Sequence, residues 1–148
     1  MVKFVGVPTA NESEDAPMSE IPASHQDLLE AKVATLATIG PDGGPQQTVV
    51  WFTNDQGSIV LSLSDSRQKT KNLLAHPQCS LVIMDPESSQ RYVEIRGDAE
   101  VTIDTDGSVG DQVTKKYGVD VRGYDAPDDQ RMVVRLTTRR VHAVDMRG

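Results

Sequence analysis

The fold is decided by residues 33–52, which read VATLATIGPDGGPQQTVVWF. Residues 33–39 alternate apolar residues with small or polar ones, which is the period of a half-buried strand. Residues 40–45 combine glycine, proline and aspartate, and this composition favours a turn. Residues 46–52 are rich in β-branched and aromatic residues and predict the returning strand. The segment therefore predicts a β-hairpin, the basic unit of an antiparallel sheet.

The rest of the chain continues this pattern with short strands and a few helices. Further strands are predicted at residues 58–63, 80–84, 92–103 and 132–144. Short helices are predicted at residues 24–31, with Ser24 as N-cap, 67–75 and 109–117, the last with Gly118 as C-cap. Gly97 predicts a bulge or a close backbone approach, and a kink is expected near Thr137. The fold class is therefore mainly β, a small antiparallel barrel of six strands with short flanking helices.

One predicted helix breaks a local electrostatic rule. It begins after Ser66, which we interpret as its N-cap, and it stops before Pro77. Three cations, Arg67, Lys69 and Lys71, fall in its first turns. The helix macrodipole makes that end positive, so cations there are disfavoured. A bound anion would explain the arrangement, because the free N–H groups and the cations would converge on it.

Arg67, Lys69 and Asn72 form the candidate anion site. Lys69 and Asn72 are three residues apart and share a helix face, whereas Lys71 is expected to point to solvent. Ser62 and Ser64 alternate with leucines, so both hydroxyls leave their strand on one face, on the approach to the anion. The alternative is a solvated basic helix that balances an acidic protein.

The returning strand of the hairpin carries the only tryptophan, Trp51. A lone tryptophan is most often part of the core. The functional alternative is that this strand forms the wall of a planar ligand site, with its backbone groups reading the polar edge of the ring.

Composition limits the classes of function. The chain has 148 residues and a net charge of −7, which argues against nucleic acid and anionic membranes as partners. Residues 1–20 are predicted to be a flexible tail and residues 21–148 a single domain. Cys79 is the only cysteine, lies in an apolar run and is expected to be buried. Without an internal disulfide, a reducing cytoplasm is the simplest location.

The sequence lacks common catalytic motifs of enzymes that work without an organic cofactor. It contains no nucleophile elbow, glycine-rich phosphate loop or His-Glu-x-x-His motif. His25, His76 and His142 are scattered without metal-ligand spacing, so structural or surface roles are expected for them and no metal is predicted. If the protein is an enzyme, a bound cofactor does the difficult chemistry.

Three motifs together resemble the pyridoxamine-phosphate-oxidase-like split β-barrel superfamily. They are Asp-Gly-x-Pro at residues 42–45, Arg-x-Lys-x-x-Asn-Leu at 67–73 and Glu-x-x-Gly-x-Ala at 94–99. Within the superfamily the chain is most similar to actinobacterial flavin/deazaflavin oxidoreductases, particularly the branch that uses the deazaflavin coenzyme F420. The resemblance covers roughly residues 28–144. The residues that hold a substrate phosphate near the C-terminus of a pyridoxamine phosphate oxidase are not recognised here.

The resemblance implies a split β-barrel homodimer with two cofactor sites at the subunit interface. The cofactor phosphate is expected at Arg67, Lys69 and Asn72, with Ser62 nearby. The partner subunit is expected to contribute Gln90, Arg91 and Tyr92. The full set of implied cofactor-binding residues is Gln46, Thr48, Val49, Val50, Trp51, Ser62, Arg67, Gln68, Lys69, Asn72, Gln90, Arg91 and Tyr92.

The implied activity is a cytoplasmic reductase that transfers hydride from reduced coenzyme F420 to an electron-poor C=C or C=N bond of a small molecule. No catalytic side chain is predicted. One alternative is an oxidoreductase of the same fold that binds flavin mononucleotide (FMN), and another is a non-catalytic carrier of coenzyme F420 or a tetrapyrrole. A third is a degenerate site in a structural dimer. The substrate pocket is expected to involve the N-terminal tail, the loop at residues 122–129 and the partner subunit.

Overall fold

The structure is a computed structural model that describes residues 20–148. The predicted tail therefore lies outside the described residues, except for Glu20. The strands are β1 (Ala34–Ile39), β2 (Pro45–Val50), β3 (Thr53–Asp55), β4 (Ser58–Ser64), β5 (Gln78–Asp85), β6 (Ser88–Ile103) and β7 (Arg131–Asp145). The α-helices are α1 (Gln68–Ala75) and α2 (Ser108–Tyr117), and 3₁₀ helices span Ala23–Glu30 and Val121–Tyr124.

The seven strands form one antiparallel sheet in the order β2-β1-β5-β6-β7-β4-β3. The two outer strands, β2 and β3, do not pair with each other, so the sheet curls without closing. The mainly β, antiparallel split-barrel class is confirmed. No helix in the described part of the chain is long and apolar enough to cross a membrane.

The prediction of six strands was wrong by one. The additional strand, β3, pairs with β4 through a hairpin whose last pair joins Asp55 to Ser58. Only Gln56 and Gly57 remain for the turn, with φ of 52° and 87°. Positive φ at both central residues is the geometry of a tight two-residue hairpin turn. The turn therefore needs only two residues, and the residues before it are free to pair.

The first hairpin forms as predicted, although its returning strand ends at Val50 instead of residue 52. Ala34 pairs with Val50 at one end and Ile39 with Pro45 at the other. The Gly44 N–H donates to the Asp42 carboxylate over 2.9 Å, which closes the turn. Trp51 and its neighbour Phe52 lie between β2 and β3, where the chain leaves the sheet edge.

The long pair of β6 and β7 contains the predicted irregularity. Arg96 pairs with Arg140 but Gly97 pairs with Thr138, so β7 has an extra residue at this point. A Cβ atom on Gly97 would lie 2.1 Å from the carbonyl oxygen of Thr137. The bulge or close backbone approach predicted at Gly97 is therefore confirmed, whereas the kink near Thr137 stays a prediction.

Two predicted N-caps were wrong. Arg67, not Ser66, precedes α1, in an extended conformation with φ −74° and ψ 142°. The Ser66 hydroxyl instead pairs with that of Ser64 over 2.9 Å. Pro22, not Ser24, precedes the first 3₁₀ helix. The Ser24 hydroxyl instead forms a hydrogen bond of 2.8 Å with Nδ1 of His25. In both cases a competing side-chain hydrogen bond takes the hydroxyl away from the helix end.

The predicted helix ends were correct. The helix α1 stops at Ala75, before Pro77. Gly118 ends α2 in the left-handed region, with φ 73°.

The core lies inside the curled sheet and is covered by α1 and the first 3₁₀ helix. Its fully buried side chains include Leu36, Phe52 and Leu61. Leu73 connects α1 to it and is 1% exposed. Cys79 packs against this cluster but is only partly buried, and burial followed by the charge of Asp98 raises its thiol pKa to about 11.

Candidate functional site

A cavity of about 240 Å³ lies where the end of β2, the strand β4 and the start of α1 meet the loop before β7. Its apolar lining residues are Val49, Val50, Trp51, Leu63, Val121 and Tyr124. Its polar lining residues are Ser62, Ser64, Arg67, Lys69, Asp125, Asp129 and Arg131. The cavity therefore has one wall suited to a ring and one suited to an anion.

Lys69 is the central feature of the polar wall. Its side chain lines the cavity although the residue is only 7% exposed. Among residues 20–148 no carboxylate forms an ion pair with it. Burial lowers the pKa of Lys69, and the neighbouring charge of Arg67 lowers it further. A buried ammonium without a counter-ion is costly, so the site is built for a charge that arrives with a ligand.

Arg67 is exposed and lines the same cavity at the N-terminal end of α1. Lys71, one turn further along the helix, is exposed and does not line it. The structure thus brings two of the three helix cations to the cavity and leaves the third to solvent, as expected.

Asn72 has a different position from that expected. Its amide donates to the Thr38 hydroxyl over 3.0 Å and to the Gln46 side-chain oxygen over 2.6 Å. Its own oxygen accepts a bond of 2.8 Å from Gln68. Asn72, Gln46 and Gln68 are thus among the predicted site residues that do not line the cavity. They connect α1 to the first hairpin and hold the cationic helix in place.

Most of the remaining residues predicted for the site on β2 and β4 line the cavity, and Thr48 does not. Val49, Val50 and Trp51 line the cavity, as do both serines of β4, Ser62 and Ser64. Thr48 does not line it, and its buried hydroxyl has no hydrogen-bond partner among the described residues.

Trp51 forms part of the apolar wall and is partly exposed. One face of its indole stacks on the ring of Tyr117, with centroids 4.4 Å apart and planes 5° from parallel. The Tyr117 hydroxyl donates to the Phe52 carbonyl over 2.9 Å and accepts from the Phe52 N–H over 3.0 Å. The stack therefore fixes the orientation of Trp51 at the cavity.

Arg131 is a site residue that sequence reasoning missed. Its Nη1 donates to the Ser62 carbonyl over 3.0 Å, and its Nη2 donates to the Val121 carbonyl over 2.8 Å. It also forms a two-point pair with Asp125, at 2.8 and 2.6 Å. The guanidinium thus joins the loop before β7 to β4 at Ser62, on the wall of the cavity.

The other cavity residues that were missed are Leu63 of β4, Val121 and Tyr124 of the second 3₁₀ helix, and Asp125 and Asp129 of the loop that follows it. The sequence identified residues 122–129 as part of the substrate pocket but could not show which side chains face it. One local signal was available in the sequence. Asp125 and Arg131 carry opposite charges only six residues apart, and in the structure they form an ion pair.

Gln90, Arg91 and Tyr92 are not brought to this cavity within one chain. The Arg91 guanidinium is buried between Asp85, at 2.9 Å, and Asp27, and it donates to the Ser24 carbonyl. The hydrogen bond that Arg91 donates to Asp27, and then that to Asp85, raise the pKa of the guanidinium. Arg91 therefore anchors the N-terminal 3₁₀ helix, whereas Tyr92 is partly exposed on the outward face of β6.

The described residues contain no group of histidine, cysteine and acidic side chains that could hold a metal ion. His25 is buried, and its Nε2 lies 3.0 Å from the Val144 carbonyl, which is the structural role expected of it. The cavity instead combines three cations, one of them paired with Asp125, the carboxylate of Asp129, two serine hydroxyls and an aromatic wall. This set fits a planar cofactor that carries a phosphate.

Residues 21–145 match the model of the pyridoxamine 5'-phosphate oxidase family, so the chain belongs to that family. Solved structures extend the likeness. An F420 reductase is 28% identical with a TM-score of 0.70, and the match covers 82% of this chain and 98% of that one. The conserved hypothetical protein Rv2991 from Mycobacterium tuberculosis is 29% identical with a TM-score of 0.71, and the match covers 89% of both chains.

A haem-binding protein from Mycobacterium smegmatis is also similar, with 26% identity and a TM-score of 0.67. That match covers 86% of this chain but only 56% of the other. Proteins of this fold therefore include both an F420 reductase and a haem binder.

Proposed function

We propose that this protein is an oxidoreductase that binds coenzyme F420 and reduces an electron-poor C=C or C=N bond in a small molecule. The observation that carries the proposal is the buried ammonium of Lys69, which faces the cavity without a counter-ion among the described residues. The likeness to an F420 reductase supports the choice of cofactor. The chemistry that such a cofactor supplies when bound is hydride transfer.

Each wall of the cavity has a separate task in this proposal. Lys69 and Arg67 bind the cofactor phosphate, together with the hydroxyls of Ser62 and Ser64. Trp51 and Val49 form the surface against which the ring lies. Because Trp51 is already held by Tyr117, the wall needs little reorganisation when the ring binds.

We also propose that two subunits pair through the outward face of β5 and β6. Val82, Met84 and Tyr92 line a depression there together with Ser89, Glu94 and His142, and Met84 is 50% exposed. Gln90 lies two residues before Tyr92 and so on the same face of the strand. A second copy covering this face would remove the exposed side chain of Met84 from water and would make Gln90 and Tyr92 interface residues.

FMN is the alternative cofactor, since it has a planar ring and a phosphate and meets the same requirements. The direct experiment is a fluorescence titration of the purified protein with coenzyme F420 and, separately, with FMN. We expect the tighter binding for coenzyme F420. Tight binding of FMN alone would transfer the proposal to that cofactor.

Turnover separates an enzyme from a carrier. The protein is mixed with reduced coenzyme F420 and a panel of enones, quinones and imines, and cofactor oxidation is followed by absorbance. Oxidation that depends on both protein and acceptor is the expected result. Binding without oxidation by any member of the panel would contradict the reductase proposal.

A tetrapyrrole carrier is the second candidate, and the similar haem-binding protein from Mycobacterium smegmatis favours it. Titration with haemin and with biliverdin, followed by the Soret or visible band, tests it. Competition between haemin and coenzyme F420 would place both in one cavity.

A further inference from the structure

The loop before β7 brings two carboxylates to a cavity that is otherwise cationic. Asp125 and Asp129 line the same space as Arg67, Lys69 and Arg131. Acidic residues at a phosphate site oppose binding unless they are neutralised or select among ligands. The two carboxylates must therefore be considered one at a time.

Asp125 is neutralised within the protein. Its two oxygens accept from Arg131 over 2.6 and 2.8 Å, and both side chains are largely buried, at 13% and 14% exposure. A two-point pair of this kind has no charge left for a ligand. Its role is to hold the loop at the cavity.

Asp129 is in a different position. None of the ion pairs among residues 20–148 includes it. Its Oδ2 accepts from the Ala126 N–H over 2.9 Å, which closes the loop. The Ala126 N–H, and then the hydroxyls of Ser66 and Ser64, lower the pKa of Asp129. The carboxylate is therefore ionised at neutral pH and contacts hydroxyls at the start of α1.

The charge balance of the cavity follows from these contacts. With Asp125 and Arg131 cancelling, Arg67 and Lys69 remain against Asp129, a net charge of +1. A phosphodiester carries one negative charge, and this balance neutralises it. A phosphomonoester carries about −1.5 to −2 at pH 7 and would leave excess negative charge beside Asp129.

We propose that Asp129 is a specificity-determining residue that favours a singly charged phosphodiester over a dianionic phosphomonoester. This inference rests on the proposed function, because coenzyme F420 is a phosphodiester and FMN a phosphomonoester. Asp129 acts by electrostatic repulsion of the second phosphate charge, because its carboxylate lines the same cavity as Arg67 and Lys69. Asp129 therefore weakens the binding of FMN more than it strengthens the binding of coenzyme F420.

The test compares Asp129→Asn with Asp128→Asn, a neighbouring exposed carboxylate that does not line the cavity. Dissociation constants for coenzyme F420, FMN and riboflavin are measured by quenching of Trp51, the only tryptophan in the chain. We expect Asp129→Asn to lower the dissociation constant of FMN about tenfold relative to that of coenzyme F420. This is the order of magnitude expected for removing one nearby charge. Asp128→Asn is expected to leave this ratio unchanged.

Riboflavin shares the ring of FMN but has no phosphate, so its affinity should be the same in all variants. Asp129→Glu keeps the charge and should keep the wild-type preference, and thermal melts check that each variant is folded. An unchanged ratio of the two cofactor constants in folded Asp129→Asn overturns the inference while the proposed function stands. An equal gain in affinity for riboflavin also overturns the inference. Wild-type protein that binds neither cofactor overturns both the inference and the proposed function.

Discussion

The indole of Trp51 and the ring of Tyr117 stack with their centroids 4.4 Å apart and their planes 5° from parallel. Trp51 lies at the cavity between β2 and β3, whereas Tyr117 is the last residue of α2. The stack therefore joins the candidate site to a helix 66 positions away in the sequence, and it makes the orientation of the wall depend on α2.

The first prediction concerns the Tyr117 hydroxyl, which bonds both backbone groups of Phe52. The Tyr117→Phe variant keeps the stacked ring but leaves the N–H of fully buried Phe52 without its partner. The carbonyl of Phe52 retains the ammonium of Lys116 at 2.8 Å. We expect the free energy of unfolding to fall by about 1–3 kcal/mol, the usual cost of one unsatisfied buried donor.

Urea denaturation followed by Trp51 emission measures this change. Tyr124→Phe is the control, because Tyr124 is 70% exposed and its hydroxyl has no hydrogen bond among the described residues. Equal stability of Tyr117→Phe and wild type would show that the hydroxyl contributes nothing.

The second prediction concerns Lys69, for which stability and binding should respond in opposite directions. Lys69→Met removes a buried ammonium that has no counter-ion among residues 20–148, so the melting temperature without ligand should rise. Binding of coenzyme F420 should weaken by about 1–3 kcal/mol, the contribution of a charge-assisted hydrogen bond. Thermal melts and fluorescence titrations measure the two effects.

Lys71→Met is the matched control on the same helix. Lys71 is exposed and away from the cavity, so both quantities should stay near their wild-type values. A parallel loss of affinity in Lys71→Met would assign the effect to general surface charge.

The third prediction concerns pH. Burial, and then Arg67, lower the pKa of Lys69 from its ordinary value of 10.5. As pH rises through the lowered pKa the ammonium loses its proton, so affinity for coenzyme F420 should fall on the alkaline side. In the same window the unfolded chain binds more protons at this lysine than the folded one, so Lys69 destabilises the fold less as pH rises.

Titrations with coenzyme F420 between about pH 7 and pH 10 test this dependence. The difference in stability between wild type and Lys69→Met should narrow over the same range. An alkaline loss of affinity that persists in Lys69→Met would assign it to another group.

The fourth prediction concerns the bulge between β6 and β7. A Cβ on Gly97 would lie 2.1 Å from the Thr137 carbonyl oxygen, so the backbone must shift to accommodate alanine. We expect Gly97→Ala to lower the free energy of unfolding by about 1–3 kcal/mol. At Gly123 nothing lies within 4 Å of the added Cβ, and Gly123→Ala should change stability by less than about 0.5 kcal/mol. Similar stability of the two variants in urea would contradict this account.

Much of the fold could be predicted because its signals are local. The turn chemistry at residues 40–45, the helix stop before Pro77 and the glycine at position 97 each restrict the backbone at their own position. The predicted N-caps failed for the same reason, since Ser24 and Ser66 have alternative partners that a local pattern does not reveal. Arg67 and Lys69 were identified because their charges conflict with the dipole of their own helix.

An antiparallel, mainly β chain with a cationic helix start follows from the sequence alone, because strand period, turn residues and helix dipole act over a few neighbouring residues. The surroundings of that helix start depend on long-range contacts instead. Arg131 meets the Ser62 carbonyl across 69 positions, and Tyr117 meets Phe52 across 65. Contacts between such distant residues depend on how the sheet curls and on where the loop before β7 lies, and neither is encoded in a local pattern.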